Sequence, residues 1–329
     1  MQCRRCVTSL VLKSESGPRR MTNALVIGSR GSKLALRQSE QAKARLTELN
    51  PALAIRIEII KTTGDVKTDP LAVIGGKGVF TKELEDALLD GRIDIAVHSL
   101  KDLPTNLPDE LTISAICARE DPRDALVLRS HFEFTNVSLG SLPKKAVVGT
   151  SSQRRLAQLK VLRPDIIVKD VRGNVDTRLR KLDEGQFDAL ILASAGLRRL
   201  GLQARISAAI STDEMLPAVG QGAVAIETRA NNEFAISIVS KLDHEETRIA
   251  CLAERALLRT LGGGCQFPIA AHAVVYNQEL RLEGVVAKPD GSQILRDWVS
   301  GRIGDAEQLG AELASKLIRQ GADSILRNQ

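Results

Sequence analysis

The stretch "AVVGTSSQRRLAQLKVLRPDIIVKDV", residues 146–171, decides the fold. A β-rich run at 146–148 ends in a glycine and a hydroxyl-rich turn, and a helical pattern then begins behind Ser152, a residue type that caps helices. A second β-rich run, "DIIVKDV" at 165–171, follows the helix. Strand, helix and strand in this order predict a crossover between parallel strands, and therefore an α/β fold.

The same alternation extends in both directions along the chain. Strand patterns are "ALVIGS" (24–29), "AIRIEII" (54–60), "IDIAVHS" (93–99), "LTISAIC" (111–117) and "FDALILA" (187–193); helix patterns are "SKLALRQSEQAKARLTEL" (32–49), "FTKELEDALLDG" (80–91) and "NVDTRLRKLDEG" (174–185). Two α/β units are therefore predicted, each a mostly parallel sheet flanked by helices. The segments 119–125 and 216–224 contain Pro and Gly and fit paired crossovers between the units.

A third unit follows the second crossover. The strand-like "GAVAIET" (222–228) suggests that the chain first returns to the first unit. A long amphipathic helix (245–261), three alternating strands and a helix near 305–320 come next. The predicted domains are 22–120 with 221–240, 121–220, and 241–329, after an extension at 1–21.

Composition restricts the class of protein. The 329 residues are 43% hydrophobic, with no apolar run near 18 residues, which argues against a membrane-spanning chain. Five cysteines without regular spacing argue against a disulfide framework and favour a reducing compartment, and the four histidines lack metal-ligand spacing. The segment 1–21 is rich in basic residues and fits either an organelle transit segment or a disordered extension. The disordered extension is favoured, and a cytoplasmic location is expected.

The positive charge of the chain is local. Residues 150–205 hold twelve Lys and Arg against six Asp and Glu, an excess equal to the net charge of +6 for the whole chain. Three turns after predicted strands, "GSRGS", "GTSSQRR" and "DVRGNVDTR", combine arginines with small polar residues. Such turns suit an anion at a helix N-terminus, although solvated helix faces would also explain each one alone.

The anion need not be a nucleic acid or a nucleotide. Aromatic residues make up only 2% of the chain, which leaves few stacking platforms for single strands. The "GGKG" at 75–78 lacks the spacing of a phosphate-binding loop. Because carboxylates fit the arginine fork as well as phosphates do, a small polycarboxylate is the expected ligand.

An acid lies near these basic turns. "DIAVHSLKD" (94–102) ends a buried strand with Ser99, Lys101 and Asp102. A carboxylate at the C-terminal end of a strand, beside a lysine, can act as a general acid or in an ion pair, whereas an aspartate at a turn is more often only a cap.

Eight motifs together resemble one family, the porphobilinogen deaminases (hydroxymethylbilane synthases) of tetrapyrrole biosynthesis. They are "IGSRGSKLAL", "GGKGVFTKELEDALLDGRIDIAVHSLKDLP", "EDPRDA", "GTSSQRR", "RGNVDTRLRKL", "AGLRRLG", "LPAVGQGA" and "GGCQFP". The resemblance runs in order from residue 24 into the third unit. It implies two α/β domains like type II periplasmic binding proteins, with the active cleft between them, and a smaller α+β C-terminal domain.

The resemblance also implies a chemistry. Four porphobilinogen molecules are added head to tail to a dipyrromethane cofactor, each losing ammonia, and hydrolysis then releases hydroxymethylbilane. Cys265 matches the cysteine that carries the cofactor through a thioether, and Asp102 matches the catalytic aspartate. Glycines before Cys265 would leave its thiol open to an electrophile, and Cys117 and Cys251 are expected in the core.

The remaining site residues are carried over from the same motifs as contacts to acetate and propionate groups. The expected cofactor contacts are Lys77, Ser99, Lys101, Ser152, Arg154 and Arg155, and the expected substrate contacts are Arg30, Ser32, Arg172, Arg178 and Arg199. Val73 and Phe267 depart from the family pattern. No metal, nucleic acid or membrane partner is expected, and the chain is expected to be a monomer.

Two other classes of protein stay open on the residues alone. A non-enzymatic binding protein for small carboxylates fits the two-lobed pattern, but it has no use for a cysteine in the loop around Cys265. An RNA-binding protein fits the basic charge, and its binding would weaken with salt and with loss of Arg172.

Overall fold

The computed structural model describes residues 24–63, 80–129, 137–264 and 267–327. In this part of the chain the strands are β1 (Ala24–Arg30), β2 (Ala54–Ile60), β3 (Ile95–Ser99), β4 (Leu111–Ile116), β5 (Asp124–Leu128), β6 (Val147–Gly149), β7 (Ile167–Lys169), β8 (Ala189–Ala193), β9 (Ala208–Ala209), β10 (Val224–Arg229), β11 (Ile269–Tyr276), β12 (Glu279–Ala287) and β13 (Ile294–Arg302).

Helices connect and flank these strands. They are α1 (Lys33–Leu49), α2 (Lys82–Leu89), α3 (Gln153–Leu162), α4 (Val175–Asp183), α5 (Ser194–Arg199), α6 (Glu233–Val239), α7 (Glu245–Thr260), α8 (Ala306–Arg319) and α9 (Ala322–Arg327). Among the residues described, no helix is both long enough and apolar enough to cross a bilayer.

The first sheet has the strand order β2-β1-β3-β10-β4. β1 is parallel to β2 and to β3, whereas β10 is antiparallel to both of its neighbours. The interior residues of β1 are buried because α1 packs on one face of the sheet and α2 on the other. The predicted return of the chain to the first unit is therefore confirmed, since β10 lies inside this sheet.

The second sheet repeats this plan with the order β7-β6-β8-β5-β9. β6 is parallel to β7 and to β8, and β5 is antiparallel to β8 and β9. The predicted crossover at 119–125 is too long, because its last two residues already belong to β5. The sequence pattern missed this strand, which starts with the buried carboxylate of Asp124.

The third unit is an antiparallel sheet, β11-β12-β13, covered by α7 and α8. Its main hydrophobic cluster lies between the sheet and these helices, and smaller clusters join it to the larger units: Cys251 packs with Leu100 and Ile116, and Ala270 packs with Ala157. The predicted fold class, two α/β domains of the periplasmic-binding type and a smaller α+β C-terminal domain, is confirmed. The domain boundaries given above stay predictions.

One buried carboxylate fixes the third unit to both crossovers. Glu254 of α7 accepts hydrogen bonds from Arg119 at 2.6 and 3.1 Å, from the Gly220 N–H at 2.7 Å and from the Ala273 N–H at 2.9 Å. Gly222 has φ +92°, and a Cβ there would lie 2.3 Å from the Glu120 carbonyl oxygen, so only glycine allows the crossovers to approach this closely.

Candidate active site

The carboxyl ends of β1 and β3 border a pocket. Arg30 ends β1, Ser99 ends β3, and Asp102 lies in the 3₁₀ turn that follows β3, and all three line this pocket together with Ser32. The Arg30 guanidinium carbon lies 4.1 Å from the centre of the Phe80 ring, a cation–π contact that holds the arginine over the pocket. The structure thus brings four of the predicted site residues together.

Helix α1 begins at this pocket. Its N-cap Ser32 accepts a hydrogen bond from the Ala35 N–H at 3.3 Å. One turn further on, the buried Gln38 donates from Nε2 to the Ser99 hydroxyl at 3.0 Å. The sequence analysis missed Gln38, and its one signal is a polar residue on the buried face of an amphipathic helix.

Asp102 and Lys101 lie in the same 3₁₀ turn, but their side chains have different surroundings. Asp102 is exposed, whereas the Lys101 ammonium lies 3.3 Å from Gln221 Oε1. The pKa of Lys101 is lowered to about 8, chiefly by burial and in part by the charges of Arg155 and Arg154, while the charges of Asp102 and Asp124 oppose the shift. The lysine is therefore placed where additional negative charge would be favourable.

Arg154 and Arg155 lie in the first turn of α3, and both are bound by one aspartate. The Asp124 carboxylate accepts from Arg154 at 2.7 Å and from Arg155 at 2.8 Å, and all three side chains are buried. Burial would raise the pKa of Asp124, but the two guanidinium groups outweigh it and hold the pKa well below its usual range. The anion expected at this helix N-terminus is thus supplied by the protein itself.

Both arginines are expected cofactor contacts, and that expectation stays a prediction; in the structure each makes a further hydrogen bond to a backbone carbonyl. Arg154 also donates to the Leu216 carbonyl at 2.7 Å and Arg155 to the Ile191 carbonyl at 3.0 Å. The Nε atom of Arg154 is the exception, since it is buried without a hydrogen-bond partner among the described residues. The sequence analysis missed Asp124 because an aspartate in "EDPRDA" has no local feature that predicts two arginine partners.

Ser152 is the N-cap of α3 and accepts a hydrogen bond from the Arg155 N–H at 3.4 Å. It is half-buried. Gln221, on the second crossover, joins this region to the first: its Nε2 donates to Asp124 at 2.9 Å, and its Oε1 accepts from Lys101. The sequence analysis missed this glutamine as well.

Arg172 and Arg178 lie on either side of a glycine turn. Gly173 has φ +106°, and its carbonyl accepts from Arg178 Nε at 2.7 Å, while Arg172 Nε donates to Asp170 at 2.7 Å. The pKa of Arg178 is lowered to about 10, chiefly by burial and in part by the charges of Arg155 and Arg172, while the charges of Asp170 and Asp102 oppose the shift. Arg178, on the second domain, is therefore close enough to Asp102, on the first, to interact with its charge.

Arg199 lies apart from this group. Its guanidinium donates to the Gly222 carbonyl at 2.6 Å. It lines a second pocket with Cys117 and His244, and only Gln38 lines both pockets. Cys117 is half-buried rather than fully buried, whereas Cys251 lies in the core as expected.

Two predicted site residues, Lys77 and Cys265, and the departure at Val73 lie outside the described residues. The glycines before Cys265 are described. A Cβ added at Gly262 or Gly264 would meet no heavy atom of the described residues within 4 Å, whereas one at Gly263 would clash with the Ile269 side chain. The loop therefore packs against β11 at its middle glycine and is open at the two glycines beside it. Phe267, the other departure, packs against the core of the third unit.

Two family models match the chain. One, described as "Porphobilinogen deaminase, dipyromethane cofactor binding domain", matches residues 25–237, and the other, "Porphobilinogen deaminase, C-terminal domain", matches residues 248–319. The chain belongs to the porphobilinogen deaminase family. As a porphobilinogen deaminase it is an enzyme of tetrapyrrole biosynthesis that uses a dipyrromethane cofactor. It condenses four porphobilinogen molecules head to tail with loss of ammonia and hydrolyses the product to hydroxymethylbilane.

Solved structures with a similar fold include a BvgS VFT2 domain from Bordetella pertussis (17% identity over 67% of this chain and 86% of that one, TM-score 0.40). The methionine-binding protein MetQ is 12% identical over 67% of this chain and 89% of that one, with a TM-score of 0.40. An ancestral arginine-binding protein bound to arginine is 14% identical over 68% of this chain and 91% of that one, with a TM-score of 0.37. The assignment of this porphobilinogen deaminase rests on the family match and not on these likenesses.

The residues present fit the dipyrromethane cofactor, which carries acetate and propionate groups. Lys101 and Arg178 both have pKa values lowered by burial among other cations, and the Nε atom of Arg154 is buried without a partner. Each of these features is relieved by added carboxylates. The porphobilinogen deaminase cleft therefore has the electrostatics that a polycarboxylate requires.

Proposed function

We propose that the deaminase reaction takes place at the pocket lined by Arg30, Ser99 and Asp102. The reaction is a transfer, because each pyrrole unit is joined to the cofactor-bound chain. The observation that carries the proposal is the position of Asp102, which is exposed in this pocket and lies within reach of the charge of Arg178. A carboxyl group there can donate a proton to the departing amine. As a carboxylate it can then stabilise the positive charge that develops on the pyrrole.

The basic residues have two roles in this proposal. Arg30, Ser32, Arg172 and Arg178 bind the acetate and propionate groups of incoming porphobilinogen, and Lys101, Ser99, Ser152 and Lys77 bind those of the cofactor. Arg154 and Arg155 act on the cofactor through their charge, since Asp124 holds their guanidinium groups. Arg199, at the end of α5, contacts substrate beside the second crossover, to which it is bound through the Gly222 carbonyl.

Cys265 is proposed to hold the cofactor through a thioether. The openness at Gly262 and Gly264 supports this, because the loop before the cysteine has room for a bulky adduct. When bound, the cofactor supplies the pyrrole carbon to which the first substrate is joined. We further propose that the enzyme is a cytoplasmic monomer that binds neither nucleic acid nor membranes.

Intact-mass measurement tests the proposal directly. The wild-type protein should carry an added mass of two pyrrole units that is absent from Cys265→Ala. Asp102→Asn keeps the size of the side chain but removes the acid, so turnover should fall at least ~100-fold while cofactor loading persists in part.

The control is Asp109→Asn, which changes another exposed aspartate of the same loop and should turn over normally. An unchanged rate for Asp102→Asn would remove Asp102 from the mechanism. An added mass on Cys265→Ala would show that the attachment site is wrong.

A further inference from the structure

A group of buried polar side chains lies directly behind the pocket of Asp102. His98 on β3 and Glu227 on β10 are both buried, and His98 Nε2 lies 3.0 Å from Glu227 Oε2. Glu85 on α2 and Thr81, which precedes that helix, complete the group. These residues take no part in the carboxylate-binding role described above.

The group is costly to bury. Within the described residues, one carboxylate oxygen of Glu227 is buried without a hydrogen-bond partner. Burial raises the pKa of the Glu85 carboxyl, the Thr81 side chain opposes the rise, and the negative charge of Glu227 adds to it. Apolar residues at these positions would avoid the desolvation cost, so stability does not explain the group.

His98 connects this group to the pocket. Its side chain lines the pocket together with Arg30 and Asp102, and Nε2 faces Glu227. In the described part of the chain, Nδ1 has no hydrogen-bond partner. The charged groups around the imidazole are Glu227 from β10, Glu85 from α2, Arg30 from β1, and Lys101 and Asp102 from the 3₁₀ turn, while α1 contributes the neutral Gln38.

We propose that His98 is a second proton-transfer residue of this pocket, oriented by Glu227. The inference rests on the proposed role of Asp102. If Asp102 stabilises a cationic pyrrole, it must stay ionised while that pyrrole loses a proton, and a separate base is then needed. Imidazole is the side chain whose ordinary pKa lies nearest neutrality, and a carboxylate behind it fixes its orientation.

The step balances in protons and electrons. The C–N bond of the aminomethyl group breaks, ammonia leaves with the electron pair, and the new C–C bond forms from the π electrons of the attacking pyrrole. The pyrrole carbon that formed this bond then loses its hydrogen as a proton, and the C–H electron pair restores the aromatic ring. Nδ1 of His98 accepts this proton and returns it through solvent to Asp102, where it replaces the proton that Asp102 gave to the amine, so each addition releases one ammonia.

The tautomer of His98 tests the geometry without any activity measurement. The chain has only four histidines, and His98→Ala identifies the His98 signals in nitrogen-15 NMR spectra of the enzyme. The neutral ring should carry its proton on Nε2, where it donates to Glu227, and leave the Nδ1 lone pair open. A neutral ring protonated on Nδ1 would overturn the proposal, because that atom could not then accept a proton.

Chemical rescue tests the catalytic role. His98→Ala should lower turnover by ~100-fold, the low end for loss of a general base, and added imidazole should restore part of the rate. His272→Ala changes a half-buried histidine of the third unit and serves as the control, with normal turnover and no response to imidazole. Normal turnover of His98→Ala, or a low rate that imidazole does not raise, would contradict the proposal.

Glu227→Gln provides a second test in case His98→Ala does not fold. The amide oxygen still accepts from Nε2, but the negative charge that favours the imidazolium is gone. The acid limb of the pH–rate profile should therefore move to lower pH, which a purely structural role would not cause. Glu83→Gln, on the same helix as Glu85 but hydrogen-bonded to Thr63, should leave the limb in place. Equal profiles for wild type and Glu227→Gln would contradict the proposal.

The two proposals fail differently. If Asp102→Asn is inactive and loaded with cofactor while His98→Ala is fully active, only the role of His98 is wrong. If Asp102→Asn is fully active, the proposed role of Asp102 is wrong whatever His98 does, and the NMR measurement still reports whether Nδ1 can accept a proton.

Discussion

Asp124 shows how much a single buried carboxylate can organise. It binds Arg154, Arg155 and Gln221, and through Gln221 it reaches Lys101. None of these partners is near it in the sequence. A pair that forms between residues 30 positions apart leaves no periodic pattern, so the sequence predicted the arginines but not the aspartate that binds them.

Removing this carboxylate should strongly destabilise the protein. Asp124→Asn leaves two buried guanidinium groups without a counter-charge, which costs about 3–5 kcal/mol for a broken buried pair. Urea denaturation at pH 7 measures the loss. Asp183→Asn, which removes an exposed partner of Arg205 in the same domain, should cost no more than about 1 kcal/mol. Equal losses for the two variants would contradict this reading.

The pH dependence of the Asp124 contribution follows from its lowered pKa. The carboxylate is ionised in both folded and unfolded chains above the ordinary aspartate pKa, so its contribution is fully present at neutral pH. It is lost as the pH falls below ordinary aspartate values toward the folded pKa. The stability difference between wild type and Asp124→Asn should therefore be constant from about pH 5 to 6.5, below the range in which Lys101, whose pKa Asp124 helps to raise, begins to titrate.

Lys101 has the opposite dependence. Its folded pKa is about 8, whereas an unfolded lysine keeps its proton to about pH 10. Between these values the unfolded chain binds more protons, so stability gains with pH. The prediction concerns a Cys265→Ala background, which lacks the cofactor carboxylates. There, Lys101→Met should have a higher free energy of unfolding than the lysine protein at pH 7, and the difference should become smaller from pH 8 to 10.

The change can reach at most about 1.4 kcal/mol per pH unit, the value for one proton. Burial raises the pKa of the Cys117 thiol to about 11, which lowers the stability of both proteins above pH 9 and cancels in the comparison. Urea denaturation at four pH values gives the difference. A constant difference across that range would mean that Lys101 is not desolvated in the folded protein.

At the scale of strands and helices, periodicity predicted most of the fold. The helices α1, α3 and α7 and the three strands of the third unit lie close to their predicted positions because each buries one face over many residues. β5 was missed because it starts with a charged residue, Asp124, directly after the Pro-containing segment that predicted a crossover. Likewise, "AVV" at 146–148 shows only that a strand exists and cannot indicate which strands become its neighbours.

The turn before α4 gives a prediction at this scale. Within the described residues, the Arg178 side chain makes a hydrogen bond through Nε alone, so its two terminal nitrogens are available to a carboxylate. Arg178→Leu and Arg172→Leu should stall the enzyme with one to three substrates attached, visible as discrete mass steps. Arg178→Lys restores the charge but not the fork, and should give intermediate behaviour.

Arg180→Leu is the matched control on the same helix. Arg180 is 64% exposed and pairs with Glu184 one turn further on, so its loss should leave the distribution of intermediates unchanged. Normal cycling of both Arg172→Leu and Arg178→Leu at limiting substrate would show that these arginines are solvated helix-face residues.

At the scale of the whole molecule, the two α/β domains meet through an exposed ion pair. Lys33 at the start of α1 lies 2.6 Å from Asp176 in the first turn of α4. Because the lysine side chain is 79% exposed, Asp176→Asn should change the free energy of unfolding by less than about 1 kcal/mol. The same free energy is sufficient to shift an equilibrium between closed and open clefts by about fivefold.

Energy transfer between fluorophores on α1 and α4 measures that equilibrium. The open fraction should be higher in Asp176→Asn than in wild type. At high salt the wild-type value should rise toward that of the variant, because screening weakens the ion pair that only the wild type has. Glu48→Gln breaks another exposed pair of α1, with Arg45, that lies within one helix, and it should leave the energy transfer unchanged. Identical transfer in all three proteins would contradict a role for this ion pair in closure.

The position of β10 has a consequence for synthesis on the ribosome. In the first sheet β4 pairs only with β10, and β10 is translated after every strand of the second sheet. Domains generally fold as units, N-terminal first, while the chain emerges. Here the second sheet can form first: all its strands, Asp124 to Ala209, are synthesised before β10, the strand that pairs with β4. A nascent chain therefore exposes the unpaired edges of β3 and β4 until residue 229 has left the ribosome, and a chaperone that covers strand edges would act in that interval.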